Sequence, residues 1–476
     1  MNEAKRLVKN TGIIAVGGMA TKLVQFLLLP LYTTVLAPAE YGAVDYLNTI
    51  ALFCVPVASL LMDEALFRFL IDCKTESDRR QAVTASVGVL GLGCILFAAL
   101  MGVLELTFHP ESFWWIVGLV YAGVALQMVS ALLRGFGDTT SYALINFLAS
   151  ALTIVLNVLF IAVFGWGVIG MLSATVIAQG GMSLLFALRC RVWRFIDLSG
   201  LNRDYMMRLL KYSIPLIPNK VSWTIMNMLD RLVIMASLGP APAGLYAVAY
   251  KFPNVMDQVY GFFYQSWKES SARALNDEGD EVAFYDAIYQ AIRRFMMGVV
   301  MVMIALMPFV YDLLIDWQYH EGILYVPILL LATYFSNISG FYGGIFTAHK
   351  DTKVMGTTTI ASAALCLVLN LVLIPHFGLY GASFATIAAM FVVSEYRRIK
   401  VRAYAALSEN RREQFATLLC LAATLVCFYV YASMGGVLLL LAGVVIAAGF
   451  FFIANRAVIM RMLVLVQQVI RNKRAG

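Results

Sequence analysis

Long apolar runs recur along the whole chain, separated by short polar interruptions. Each approaches the roughly 20 residues that a helix needs to cross the hydrocarbon core of a bilayer. The pattern predicts spans near 12–36, 44–69, 82–107, 113–133, 141–163, 168–188 and 212–238. Seven more follow near 245–267, 292–315, 323–347, 354–375, 379–396, 415–433 and 436–456. No interruption is long enough for a separate soluble domain. The expected fold class is all-α, a polytopic membrane protein of about 14 transmembrane helices.

Composition agrees, with 61% hydrophobic and 13% charged residues over 476 positions. The polar start, Met1 to Asn10, carries Lys5, Arg6 and Lys9, and the apolar run after it is interrupted by Lys22 and offers no small-residue cleavage site. A cleaved signal peptide is therefore not expected. The cysteines fall within spans or at their cytoplasmic ends, and no CxxC or Cys/His cluster suggests a metal site or an external disulfide.

Every second loop is basic, among them Lys74/Arg79/Arg80, Arg189 through Lys211, Arg273 to Arg294, Lys350/Lys353 and Arg397 through Arg412. The positive-inside rule makes those loops and both termini cytoplasmic. The net charge of +7 sits in short blocks between spans, facing anionic lipid headgroups, so membrane lipids and not nucleic acid are the expected partners. The loops on the other side hold no lysine or arginine. All but four of the 35 basic residues are accounted for in this way; the four are Lys22, Lys220, Arg231 and Lys251. A cation within a span is costly, about 2.5 kcal/mol upward, and normally meets a partner, a bundle interior or a watery cavity.

These cations lie on polar faces. Lys251, Asn254, Gln258, Gly261, Gln265 and Lys268 recur at steps of three and four along the eighth span, with Asp257 beside them. The seventh span adds Lys220, Asn227 and Arg231 with Asp230 adjacent, and the first adds Lys22 and Gln25. One explanation is internal pairing, Asp230 or Asp257 with Arg231 or Lys251, which holds helices together. The other is an anionic ligand, phosphate in particular, which the excess of cations favours. Prolines at 30, 56, 215, 218, 253, 308 and 327 permit kinks. Asp63, Glu64 and Arg68, near the cytoplasmic end of the second span, form either an inner gate or a surface cluster.

Short motifs repeat in order. Leu36-Ala37-Pro38-Ala39-Glu40-Tyr41-Gly42 returns as Leu238-Gly239-Pro240-Ala241-Pro242-Ala243-Gly244, 202 positions later. Asp138-Thr139, Val155-Leu156-Asn157 and Phe164-Gly165 return as Asp351-Thr352, Val368-Leu369-Asn370 and Phe377-Gly378, 213 positions later. A repeat of six spans that starts on the same side each time implies two halves related by an axis along the membrane normal, a common transporter plan with substrate near the midplane. The expected organisation is an N-lobe over 1–200, a C-lobe over 201–400, and an added helix pair with a cytoplasmic tail over 401–476.

Further residues carry a resemblance: Leu29-Pro30-Leu31-Tyr32 through Pro38 and Tyr41-Gly42, then Tyr212-Ser213-Ile214-Pro215-Leu216-Ile217-Pro218 ending in Asp230-Arg231, then Tyr246, Tyr250-Lys251 and Gln265-Ser266-Trp267. In order and spacing the chain resembles the Wzx-type oligosaccharide flippases, polysaccharide biosynthesis transporters of the multidrug/oligosaccharidyl-lipid/polysaccharide (MOP) exporter superfamily. The resemblance implies two six-helix lobes of MATE-like fold in the bacterial cytoplasmic membrane. It further implies alternating access that moves undecaprenyl-diphosphate-linked oligosaccharide to the outer leaflet, alongside other polysaccharide-assembly proteins.

On that resemblance Lys22, Lys220, Arg231 and Lys251 engage the diphosphate, as cavity cations are thought to do in the related lipid II flippases. Gln25, Asn227, Asn254 and Gln258 face sugar. Asp230 and Asp257 are candidates for coupling to Na+, H+ or the membrane potential, and no cofactor or catalytic residue is implied. The added helix pair resembles the tail-binding pair of the lipid II flippases. Two rivals are weighed beside it: a multidrug cation antiporter of the same fold, which would want unpaired carboxylates in the first lobe, and a membrane polysaccharide polymerase or ligase, which would want a substantial external loop with acid/base residues.

Overall fold

The computed structural model describes residues 26, 28–108, 113–197, 201–275, 281–408, 410–456 and 460. Among them the regular elements are helices and no strand occurs. Ten of the described helices are long and apolar enough to cross a membrane, and the chain is an integral membrane protein. The described residues up to Gly244 form one compact unit, and those from Leu245 onward a second.

The first unit contains α1 (Leu29–Val35), α2 (Pro38–Ala58), α3 (Met62–Asp72), α4 (Glu76–Phe108) and α5 (Phe113–Gly135). It continues with α6 (Thr139–Asn157), α7 (Gly167–Arg189), α8 (Arg203–Ser213) and α9 (Leu216–Leu238). Helix α10 (Pro240–Ala249) leads into the second unit, built from α11 (Lys251–Ala274), α12 (Glu281–Leu314), α13 (Val326–Ala348), α14 (Thr352–Val401), α15 (Arg411–Met434) and α16 (Val437–Ala454). Of the expected first span only the exit, α1, is described; residues 12–25 lie outside.

The expected continuous span 44–69 is instead two helices. Leu60 and Leu61 adopt φ of 52° and 51°, a left-handed turn that costs an L-residue roughly 1–2 kcal/mol each. The turn is held from both sides. The Leu61 N–H donates to Ser59 Oγ (3.2 Å) and to the Pro56 carbonyl (3.3 Å). Opposite, Gly93 of α4 leaves room for the Ala58 carbonyl oxygen, which would lie 2.5 Å from any Cβ placed there. The expected span 245–267 is likewise divided at Tyr250, because Pro253 has no N–H to return to the Ala249 carbonyl. Neither α9 nor α11 is among the ten apolar crossings, since the polar faces read from the sequence fall on them.

The repeat is visible in matching local geometry. Asp138 caps α6 by accepting the Ser141 N–H at 2.9 Å, and Asp351 caps α14 by accepting the Val354 N–H at 3.3 Å. Their backbones agree, with φ/ψ of −85°/72° and −85°/68°. Asn157 and Asn370 are both buried. Gly165 and Gly378 both take positive φ, 66° and 58°, and Gly378 kinks α14 into two helical segments. The Ser141 hydroxyl and then its N–H hold the Asp138 carboxyl below the usual carboxylate range.

Asp138→Ala and Asp351→Ala are each expected to cost about 1 kcal/mol and Ser replacements much less, measured as the thermal midpoint in detergent. Because the Asp138 carboxyl titrates lower when folded, its contribution is complete above the carboxyl's ordinary range and is lost as pH falls through its lowered value.

Candidate functional site

The strained turn at Leu60–Leu61 redirects the chain so that the first turns of α3 bring Asp63, Glu64 and Phe67 to a cavity of about 470 Å³ inside the first unit. Helix α5 contributes Gln127, Ser130 and Arg134, at steps of three and four on one face. Asn48 of α2, Tyr142 and Asn146 of α6, and Thr175 and Gln179 of α7 complete the polar wall. The guanidinium of Arg134 lies 4.1 Å above the Phe67 ring and 5.7 Å from that of Tyr142, both cation–π contacts. Asn146 Nδ2 donates to the Tyr142 carbonyl (2.8 Å) and to Ser130 Oγ (3.3 Å). Asp63 Oδ1 is buried with no hydrogen-bond partner among the described residues.

A second polar feature of this unit lies on α2 about one turn before Asn48. Arg231 Nη1 of α9 bonds both oxygens of Asp45 at 3.2 Å, with both side chains 14% exposed. Beside it the repeated motifs touch. A Cβ on Gly42 would stand 2.0 Å from the Pro240 carbonyl oxygen, and a Cβ on Gly244 would stand 1.9 Å from that of Pro38. Each motif's seventh residue thus makes room for the other's third, and only glycine fits at either place.

The residues singled out from the sequence divide as follows. Lys22 and Gln25 lie outside the described residues, as does the side chain of Asn227. Lys220 is exposed on α9 and is not among the residues that line the cavity. Arg231 has Asp45 as a carboxylate partner, a residue the sequence reading did not consider, while Asp230 is buried and accepts the backbone N–H of Arg231 (2.9 Å). Arg68 turns away from Asp63 and Glu64 to pair with Asp72 (2.7 Å). In the second unit Lys251, Asn254 and Gln258 are half-buried on α11 and Asp257 is exposed.

Sequence reasoning missed Asn48, Gln127, Arg134, Asn146 and Gln179. Arg134, at a helix end, counted toward a basic loop, and single amides in apolar spans drew no notice beside the cations. The step of seven from Gln127 to Arg134 was the available signal. Among the described residues no group of three His, Cys, Asp or Glu gathers as a metal site would require, and all seven cysteines are free thiols.

The profile of a family described as "Polysaccharide biosynthesis protein" matches residues 7–267, more than half of the chain. The chain belongs to this family. That match includes the whole cavity and the Asp45–Arg231 pair. A curated relative, the succinoglycan biosynthesis transport protein ExoT of Rhizobium meliloti (strain 1021), is 24% identical over 270 residues; the match covers 54% of this chain and 51% of the relative, about half the length of each.

Among solved structures the family member is similar to the lipid II flippase MurJ in an inward closed conformation, with a TM-score of 0.71 and 13% identity over 94% of this chain and 99% of that one. It is also similar to an inward-facing MATE-family multidrug resistance transporter of the MOP superfamily, with a TM-score of 0.60 and 16% identity over 82% and 98%. These likenesses establish the MOP fold.

Gly42→Ala and Gly244→Ala are expected to separate α2 from the start of α10, lowering thermal stability by about 1–3 kcal/mol. Asp45→Ala, which removes the carboxylate that Arg231 pairs with, should cost about 3 kcal/mol, and the exchange Asp45→Arg with Arg231→Asp should recover part of it. Thermal midpoints of the single and exchanged variants check this.

Proposed function

We propose that the chain is a flippase, not an enzyme, that carries undecaprenyl-diphosphate-linked oligosaccharide from the cytoplasmic to the outer leaflet of the bacterial cytoplasmic membrane by alternating access. The observation that supports it best is the cavity of about 470 Å³ in the first unit, lined by amide, carboxylate, guanidinium and hydroxyl groups within a bundle of membrane-crossing helices. Its volume falls within the range of small-molecule sites. Such a lining offers sugar hydroxyls both donors and acceptors where lipid offers none. Membership in a polysaccharide biosynthesis family and likeness to a transport protein of succinoglycan biosynthesis support a lipid-linked glycan as cargo.

On this reading the lobes are those expected over 1–200 and 201–400, with 401–476 added. Lys22, Lys220, Arg231 and Lys251 attract the diphosphate, and Arg231 exchanges Asp45 for it. Gln25, Asn227, Asn254 and Gln258 contact sugar, and within the first-unit cavity so do Gln127, Asn146 and Gln179. Both termini are cytoplasmic, partners are lipids and other polysaccharide-assembly proteins, and Asp230 and Asp257 couple transport to Na+, H+ or the membrane potential without a cofactor.

One observation favours a second reading: the unpartnered Asp63 oxygen is the first-unit carboxylate that a cation antiporter would use. The experiment is export of lipid-linked oligosaccharide in reconstituted vesicles. Lys22→Ala, Arg231→Ala, Lys251→Ala and the pair Gln127→Leu/Gln179→Leu are each expected to reduce export at least tenfold, a change of about 1.4 kcal/mol. Intact export by all of them would overturn the site. Drug extrusion that is lost in Asp63→Asn, without glycan export by the unmodified chain, would establish the antiporter instead.

A further inference from the structure

The second unit holds a buried cation that the sequence reading placed in a basic loop. Helix α14 does not end at residue 396 but runs to Val401, so Arg397 packs inward and is only 7% exposed. Its Nε donates to Thr358 Oγ1 (2.9 Å), Nη1 to the Ser339 carbonyl (3.2 Å) and Nη2 to Thr359 Oγ1 (3.2 Å). These bonds, with a longer one from Nη2 to the Met355 carbonyl (3.5 Å), engage all three guanidinium nitrogens but leave the charge uncompensated. Among the described residues no carboxylate pairs with it; the neighbouring Glu395 pairs with Arg398 (2.5 Å). A buried charge without a counter-ion is costly and attracts an anion.

A cavity of about 340 Å³ adjoins this arginine, with Thr358, the acceptor of its Nε–H, in the wall. Thr357 and Tyr396 add polar groups, and Ala361, Leu365 and Val392 make the remainder apolar. Lys400 Nζ lies 5.6 Å from the Tyr396 ring centroid, so a second cation stands beside the cavity. Val392 and Tyr396 are exposed on the surface of the unit, which in a membrane-crossing chain meets lipid.

An apolar pocket with hydroxyls at one end and two cations nearby matches an amphiphile that has one negative head. We propose that this pocket binds an anionic phospholipid, its phosphate drawn to the Lys400 ammonium and to the uncompensated charge of Arg397 behind the Thr358 wall, with an acyl chain lying along Ala361, Leu365 and Val392. This site is separate from the first-unit cavity and does not depend on what is transported. The phosphate supplies the counter-charge that Arg397 lacks, and the chain then recognises the leaflet by its lipid as well as by its loop charges.

The test is native mass spectrometry and thermal stability of the full chain, purified in neutral detergent and mixed with phosphatidylglycerol, phosphatidylcholine or inorganic phosphate. Phosphatidylglycerol is expected to remain bound and to raise the melting temperature, and the other two are not. Lys400→Gln is expected to weaken retention roughly tenfold, as loss of one charge-assisted contact does, and Ala361→Trp to abolish it by filling the pocket. Both changes are at exposed positions, so the test does not depend on a variant of the buried arginine. Equal retention of phosphatidylcholine, unchanged retention by both variants, or stabilisation by inorganic phosphate alone would each overturn the proposal.

Discussion

Within hydrocarbon a backbone amide or carbonyl has no partner except another protein group, and this constraint accounts for the architecture. Helix is the default, and each departure from it has a local compensation. At Leu60–Leu61 the freed Leu61 N–H finds Ser59 Oγ and the Pro56 carbonyl, while Gly93 lets the turn press against α4. At Tyr250 the helix pauses for Pro253, and at Gly378 a positive φ lets one long helical segment kink. These interruptions also aim side chains: without the first, Asp63 and Glu64 would continue the line of α2 and not meet Gln127 and Arg134 across a cavity.

Charge follows the same logic with less uniform solutions. Asp45 and Arg231 pair across two helices, Arg134 rests on aromatic faces, and Arg397 is surrounded by hydroxyls and carbonyls. The first neutralises the charge, the second disperses it, and the third meets only its hydrogen bonds. The first unit therefore carries a latched pair at Asp45 and, from Asn48 onward along the same helix, an open polar chamber.

Most of the architecture was legible in the sequence, because hydropathy reports directly on what lipid tolerates. The repeat was legible for a related reason: a capping Asp, a buried Asn and a positive-φ Gly are each fixed by backbone geometry, so Asp138/Asp351, Asn157/Asn370 and Gly165/Gly378 keep their identity where the surrounding Leu and Val do not. The site was less legible. Asp45 sits near the start of a span whose apolar average conceals it, and its partner is far away in sequence. Arg397 reads as a loop cation because nothing in a charge count shows that a helix continues for one more turn. The break at Leu60–Leu61 uses branched apolar residues in a conformation normally left to glycine, so no local signal announces it.

The Asp45–Arg231 pair also imposes an order on biosynthesis. Its members are 186 residues apart, and at about 5–20 residues per second a ribosome takes roughly 10–40 s to deliver the second after the first. Throughout that interval Asp45 enters the membrane without its arginine. The early helices must therefore be held at a wet boundary until α9 arrives. The latch is thus a late event in assembly, and a nascent chain stalled before residue 231 would display a half-finished first unit with one carboxylate still waiting.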